Sequence, residues 1–259
     1  MSKLSVRNLR KSYSNDDNDV TSVLDGLSFD VGKGEFLSIV GPSGCGKTTL
    51  LKIIAGLMSQ DSGEVLIDDI PVGLDHHQVG FIFQEESLFP WRTVRQNIEF
   101  GLELAKFNLD ERKARCDEMI SLVGLKGLED NLPHEISGGQ ARRVEMARSL
   151  VTKPAILVSD EGLSNLDAQT RNFVQEEFLR VWQSTGSTIL FVSHNVDEAV
   201  FMSDRILVMS NIPSKIIAEY DVEVDRPRDR ASPECRAYRS QILEVLRVEQ
   251  EKAMSRLAA

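Results

Sequence analysis

The chain has 259 residues, enough for one sizeable α/β domain or two small ones. Its 41% hydrophobic and 27% charged content is ordinary for a globular protein. With 40 acidic against 30 basic residues the net charge is −10, which excludes the basic footprint that non-specific nucleic-acid binding needs.

Short β-rich segments open the chain, "SVRNLR" and then "LDGLSFDV", with the polar turn "SNDDNDVTS" between them. "GEFLSIV" reads as an apolar strand ending at Val40, followed by a helix from Lys47 to about Met58. "GEVLIDDI" and "QVGFIFQ" are further strands, the second ending at Gln84. From about Glu85 to Thr152 the pattern turns helical. "TVRQNIEFGLELA" and "NLDERKARCDEMISLVGL" carry apolar residues at i, i+3, i+4 spacing, the second with Asn108 or Asp110 as its cap. Strands return with "AILVSD", "STILFVS" and "RILVMS", alternating with helices that begin near Asp167 and Asn195. Such alternation implies a mainly parallel, right-handed α/β sheet, into which residues 85–152 are a helical insertion. The tail from Ser232 reads as an amphipathic helix with Tyr238, Ile242, Val245 and Leu246 on its apolar stripe. Cys45, Cys116 and Cys235 have neither metal nor disulfide spacing and fit a reducing cytoplasm. No signal-peptide core or membrane-spanning run is expected, so any membrane is spanned by something else.

"GPSGCGKT" at 41–48 matches the phosphate-loop pattern, after a strand and into a helix. In the loop Gly41, Pro42, Ser43, Gly44, Cys45 and Gly46, the glycines would let successive backbone N–H groups (all but that of Pro42, which has none) curl around a phosphate, and the helix N-terminus adds its dipole. Lys47 reaches the β- and γ-phosphates, and the Thr48 hydroxyl, with Thr49 beside it, is placed for Mg²⁺. The chain is expected to bind a nucleoside triphosphate. Cys45, near a helix N-terminus and Lys47, is expected to favour its thiolate.

"AILVSDE" places Asp160 and Glu161 at a strand's C-terminal end, where ligands gather in open parallel sheets. Asp160 suits the holding of Mg²⁺ and Glu161 the activation of an attacking water. His194, closing "STILFVSH", is a further polar group for sensing the γ-phosphate. Gln84 is another, able to contact Mg²⁺ and the water without changing protonation. "HEISGGQARRVEMARSL" then poses a puzzle. Ser137 is a good N-cap, and Gly138 and Gly139 let a ligand approach closely, yet no lysine stands beside them.

In this order the phosphate loop, Gln84, "ISGGQ", "ILVSDE", "SNLD" and His194 resemble the ATPase subunits of ABC transporters from about Ser5 to Leu207. The resemblance implies a P-loop NTPase (RecA-like) core with a mainly parallel sheet, an antiparallel β subdomain and a helical subdomain insertion. It places the ATPase domain at 1–222, with core and β subdomain at 1–84 and 153–222, the insertion at 85–152 and a helical extension at 223–259. ATP and Mg²⁺ are the implied cofactors. A second ATPase subunit, identical or not, is implied in head-to-tail arrangement, and it answers the puzzle. Ser137, Gly138, Gly139 and Gln140 would meet a phosphate held by the partner chain. Tyr13 matches the aromatic that stacks on adenine, and Asp167 the residue that communicates across the dimer.

"PWRTV" at 90–94 and "HNVDEAVFMSDRILVMS" at 194–210 resemble the nitrate/sulfonate/taurine importer branch. That implies a transmembrane permease docking near Gln84–Val94, with Phe89 and Trp91 either as anchors or buried in the insertion's own core. It also implies, indirectly, a solute-binding protein, and a peripheral place on the cytoplasmic face of the inner membrane. Four residues depart from the family pattern: Ser159 and Gly162 around the carboxylates, Asn195 where an acid is common, and Ser214 near a usual glycine. None removes a group needed for hydrolysis, although turnover rate depends on them. A weakly hydrolysing regulatory subunit is therefore the alternative. A soluble ABC ATPase acting on DNA or ribosomes would need a basic surface or a long coiled coil.

Overall fold

A computed structural model describes residues 2–14, 19–73, 79–163 and 166–257. Ser164 and Asn165 of the "SNLD" stretch lie outside the described residues. The chain divides into two compact units, Met1–His76 with Thr188–Ala259, and His77–Ser187.

In the first unit, β1 (Ser2–Ser14) and β2 (Val20–Gly32) form a long antiparallel hairpin, longer than the two short strands expected. β4 (Ser62–Ile67) pairs antiparallel with β1, and β5 (Ile70–Pro71) with β4, giving a sheet in the order β2-β1-β4-β5. A second set of strands starts with β3 (Phe36–Val40), whose five residues are all buried. That continuous apolar run suits a strand covered on both faces. β3 lies parallel to both β8 (Ile189–Ser193) and β9 (Arg205–Met209). β10 (Ile216–Asp221), which the sequence pattern did not announce, pairs antiparallel with β9.

Helix α1 (Lys47–Ile54) is shorter than its apolar pattern suggests. Gly56 turns left-handed at φ 69°, and Leu57 N–H donates back to the Lys52 carbonyl at 2.8 Å, a Schellman closure. That closure ends the helix before Met58, and the position takes glycine because a side chain at Gly56 would meet the Gly73 carbonyl at 2.6 Å.

The second unit holds the parallel pair β6 (Val79–Ile82) and β7 (Ile156–Asp160), with helices α2 (Val94–Leu104), α3 (Leu109–Leu122), α4 (Gly138–Leu150) and α5 (Ala168–Thr185). Thr93 starts α2 with a full capping box, and Asn108 rather than Asp110 caps α3. α/β architecture with an antiparallel β sheet and a helical region is thus present as expected.

Helix α6 (Val196–Met202) and helix α7 (Pro233–Leu257) complete the first unit. Cys235 and Ile242 of α7 are buried with Val196, Val200, Ile206 and Val222, and Tyr238, Val245 and Leu246 pack against that cluster. Arg228, ahead of α7, donates to the Val200 and Val222 carbonyls at 2.7 and 3.0 Å, satisfying the end of α6. Truncation after Asp225 removes both devices. Ile242 alone, fully buried, is worth about 1.5–3 kcal/mol. The truncated chain is expected to melt well below the full chain while ATP affinity falls less. Thermal unfolding beside nucleotide titration checks this, and a selective loss of nucleotide binding contradicts it.

Candidate functional site

The phosphate loop is built by glycines that a side chain would distort. Gly44 and Gly46 have φ of 77° and 97°. A Cβ at Gly46 would stand 2.6 Å from Val23 Cγ1 of β2. Lys47 is buried, and its ammonium donates to the Gly41 and Pro42 carbonyls, each at 2.9 Å. The loop is therefore preorganised as a ring around its own lysine, at the N-terminus of α1, where backbone N–H groups and the helix dipole favour an anion. Ser43, Gly44 and Thr48 are exposed at its rim.

Two expected neighbours, His194 and Tyr13, lie beside the loop or its helix within this unit. His194, just past β8, lines with Gly41, Pro42 and Ser43 a cleft of about 620 Å³. Leu243, Leu246, Arg247 and Gln250 of α7 close its other side. Asn195 caps α6 by accepting from Asp197 N–H at 2.9 Å, a capping task an Asn performs as well as an acid. The Tyr13 hydroxyl lies 3.2 Å from the Thr49 hydroxyl, with the ring partly exposed beside α1. Cys45 departs from expectation. It is buried, and a Cβ on Gly41 would lie 3.0 Å from its Sγ. Burial pushes its thiol pKa up, against the lowering pull of Lys47, so the neutral thiol is favoured instead of the thiolate.

In the second unit Asp160 is buried at the end of β7, and Glu161 follows with a left-handed φ of 47°. A non-glycine residue held there stores about 1–3 kcal/mol of strain, which concentrates at functional sites. The Gln84 amide donates to Glu161 Oε2 at 3.3 Å, so the structure brings these two expected residues together. Gln84 stands two residues past β6 and not on it. The Phe83 and Gln84 carbonyls are taken by the Arg142 guanidinium at 3.0 and 2.5 Å, which ends the ladder. Ser159 and Gly162 prove to be one feature. A Cβ at position 162 would come 2.8 Å from Ser159 Oγ, so glycine there makes room for the buried hydroxyl rather than merely loosening the turn.

Ser137 caps α4 in a reciprocal box with Gln140, at 3.3 and 2.7 Å. Ser137 and Gly138 are exposed, whereas Gly139 is buried. A Cβ on Gly139 would meet Thr170 Cγ2 at 2.8 Å, so its missing side chain serves the close approach of α5. Asp167 caps α5, accepting from the Gln169 and Thr170 N–H groups at 3.1 and 3.0 Å. Hydrogen bonding, chiefly from Thr170, holds its carboxyl pKa below the usual value. Ser137, Gln140, Gln169 and Thr170 share a shallow cleft of about 340 Å³ with Arg143 and Phe173. Arg143 is a cation beside the "ISGGQ" stretch after all, but its guanidinium donates to the Val123 and Gly124 carbonyls at the end of α3.

Sequence reading missed the buried network that ties α4 to the segment after β6. Arg142 and Glu145 form an ion pair at 2.6 Å with side chains 3% and 1% exposed. Glu145 also accepts from Ser87 N–H at 2.6 Å, and Arg148 donates to the Ser87 carbonyl at 2.7 Å. Only the i, i+3 spacing of Arg142 and Glu145 on a helix hinted at it. Arg142→Ala leaves Glu145 without its cation, a loss expected to cost about 3–5 kcal/mol. The urea midpoint should fall accordingly, and an unchanged midpoint contradicts the assignment. Beside this network Phe89 packs edge-on to Phe100, ring centroids 4.7 Å apart, while Trp91 is 74% exposed. Phe81, Phe83, Phe89 and Phe100 line a groove of about 390 Å³.

The profile of the family described as "ABC transporter" matches residues 24–164. An uncharacterised ABC transporter ATP-binding protein of Methanocaldococcus jannaschii is 45% identical over 97% of this chain and 94% of its own length. The aliphatic sulfonates import ATP-binding protein SsuB of Bacillus thuringiensis is 40% identical over 93% of this chain and 94% of its own. Among solved structures, a bacterial ABC transporter cassette in dimeric form superposes with a TM-score of 0.74 at 28% identity, covering 86% of this chain and all of that one. A dimeric post-hydrolysis cassette bound to ADP and Pi gives 0.73 over the same shares. The matched stretch holds the phosphate loop, the "ISGGQ" cap and the Asp160–Glu161 pair, and the chain belongs to the ABC transporter ATP-binding family.

Proposed function

We propose that the chain is the ATP-binding and ATP-hydrolysing subunit of an ABC importer, coupling dimer closure to solute movement through a separate permease. The observation that carries the ATPase reading is the phosphate loop with Lys47 buried under the Gly41 and Pro42 carbonyls at the start of α1. The similarity to a sulfonate-import ATP-binding protein supports import, with a small anion or organic solute of the nitrate, sulfonate or taurine type as cargo. Within this reading, backbone N–H groups of Ser43, Gly44, Cys45 and Gly46 and the Lys47 ammonium bind the phosphates, and Tyr13 stacks on adenine. Glu161, steadied by Gln84, draws a proton from the attacking water, and His194 holds the γ-phosphate side. Ser137 and the first N–H groups of α4 serve a phosphate held by a second ATPase subunit, and Asp167 keeps α5 in place beside them.

Each unit carries hard oxygen donors of the kind Mg²⁺ takes, the Thr48 hydroxyl in the first and the Gln84 amide oxygen and Asp160 carboxylate in the second, and Mg²⁺ binds through few protein groups plus substrate phosphates and waters. Among the described residues no group of three or more His, Cys, Asp or Glu forms an all-protein cage. Bound there, Mg²⁺ would neutralise charge developing on the β- and γ-phosphates.

No helix among the described residues is long and apolar enough to cross a membrane. In the importer reading, which the similarity to an import ATP-binding protein supports, the chain works peripherally at the cytoplasmic face, and the aromatic groove of Phe83, Phe89 and Phe100 with exposed Trp91 near it receives the permease. A solute-binding protein enters only indirectly. The test is ATP affinity and phosphate release by the purified chain, alone and with its co-purified permease, with Lys47→Ala as control. Permease-stimulated hydrolysis lost in Lys47→Ala is the expected result. ATP binding without turnover in the complex favours the regulatory alternative, and no ATP binding at all overturns both.

A further inference from the structure

Ser214 sits in the loop between β9 and β10 and is fully buried. Its hydroxyl donates to the Cys45 carbonyl, inside the phosphate loop. Its own backbone is bracketed by β2. Ser214 N–H donates to the Val23 carbonyl at 2.9 Å, and the Ser214 carbonyl accepts from Asp25 N–H at 3.0 Å. The loop that carries it is closed by Ser210 N–H to the Lys215 carbonyl at 2.9 Å and by Lys215 N–H to Ser210 Oγ at 3.0 Å. Helix α7 steadies its far side. Asn211 N–H donates to Glu249 Oε1, and the Asn211 amide to the Glu249 carbonyl, both at 3.1 Å. Glu249 is itself buried. A rigid bracket therefore ends in one hydroxyl aimed at one peptide group of the loop.

What that hydroxyl does follows from peptide geometry. The Cys45 carbonyl and the Gly46 N–H belong to the same planar trans unit and point in opposite directions. Fixing the carbonyl toward Ser214 turns the Gly46 N–H the other way, toward the inside of the loop. Gly46 has a left-handed φ and no side chain to oppose rotation, so without an anchor this peptide can flip. A flipped peptide presents a carbonyl oxygen, not an N–H, to an anion. We propose that Ser214 is a positioning residue for nucleotide binding: it holds the Cys45–Gly46 peptide so that the Gly46 N–H donates to a bound phosphate. This rests on the reading of Gly41–Thr49 as the phosphate cradle.

Ser214→Ala removes one oxygen and no backbone group, so the fold is expected to persist. ATP and ADP affinities are measured at a temperature where wild type and variant are both fully folded, beside KM and kcat for hydrolysis and the melting point without nucleotide. One orphaned buried acceptor predicts affinity weakened about tenfold, KM raised to match and kcat at saturation nearly unchanged. A hydroxyl that served packing alone would lower the melting point and leave the affinities as in wild type. That result overturns the proposal. Lys47→Ala, measured in parallel, separates the two layers. If Lys47→Ala loses ATP while Ser214→Ala keeps it, the bracket is wrong and the cradle stands. If both bind as wild type does, the cradle reading falls and the bracket with it.

Discussion

Glu161→Gln is expected to leave ATP binding intact while hydrolysis falls about 10²- to 10⁴-fold, the range a positioned general base supplies. The substitution keeps the length and planarity of the side chain, and an amide oxygen still accepts the hydrogen bond from Gln84, now 3.3 Å away. It removes only the capacity to take a proton. The left-handed backbone at φ 47° is as strained for Gln as for Glu, so the turn should hold its shape. In the head-to-tail arrangement proposed above, ATP then stays between two chains when hydrolysis stops, and a stable dimer should accumulate on gel filtration in ATP. Phosphate release, ATP affinity and elution volume together make the test. Turnover at the wild-type rate would show that another group activates the water. The paired substitution Ser159→Ala with Gly162→Ala bears on the same turn, because Ser159 Oγ now fills the space that a Cβ at 162 would enter.

What the sequence made legible was local. A phosphate loop is a run of eight residues whose glycines carry their conformational meaning with them, and the N-caps Asn108, Ser137, Asp167 and Asn195 act within three residues of themselves. Apolar runs such as Phe36–Val40 and Ile156–Asp160 read as buried strands because the pattern is short and continuous. Long-range partners were not legible. Ser87 and Glu145 are 58 positions apart, and Ser214 and Cys45 are 169 apart. No periodicity links such positions, so the bracket behind the phosphate loop and the ion pair behind Gln84 emerge only when the chain is folded. The electrostatic setting of Cys45 failed for a related reason. Its neighbours in sequence, Lys47 and a helix N-terminus, favour the thiolate, whereas its neighbours in space bury it, and desolvation dominates. Gly139 shows the same limit, because a glycine beside a cap reads as room for a ligand until Thr170 is found against it.

Ser137→Arg is expected to abolish most ATP hydrolysis while the isolated chain still binds ATP. Ser137 and Gly138 are exposed at the start of α4, with the Ser137 hydroxyl engaged only in its own capping box. Losing that cap costs about 1 kcal/mol of helix stability, too little to unfold the chain. In the head-to-tail arrangement proposed above, the larger effect falls between chains, where a long cation would stand at the surface that closes on a partner's nucleotide. Loss of one preorganised donor at a site of developing charge typically costs about 10²- to 10³-fold in rate, and steric exclusion of the partner adds to it. The phosphate loop of the same chain is untouched, since Lys47 keeps its bonds to Gly41 and Pro42. Complementation then decides whether the "ISGGQ" helix end works in trans. In a mixed dimer of Ser137→Arg and Lys47→Ala chains, one composite site combines both defects and the other combines two intact halves. Each variant alone should be nearly inactive, and the mixture should regain part of the wild-type rate if one site can turn over by itself. The measurements are ATP affinity of each isolated chain and phosphate release by each homodimer and by the mixture. Should Ser137→Arg destroy ATP binding by the isolated chain, the helix end at Ser137 acts on its own chain's nucleotide, and the head-to-tail arrangement is wrong.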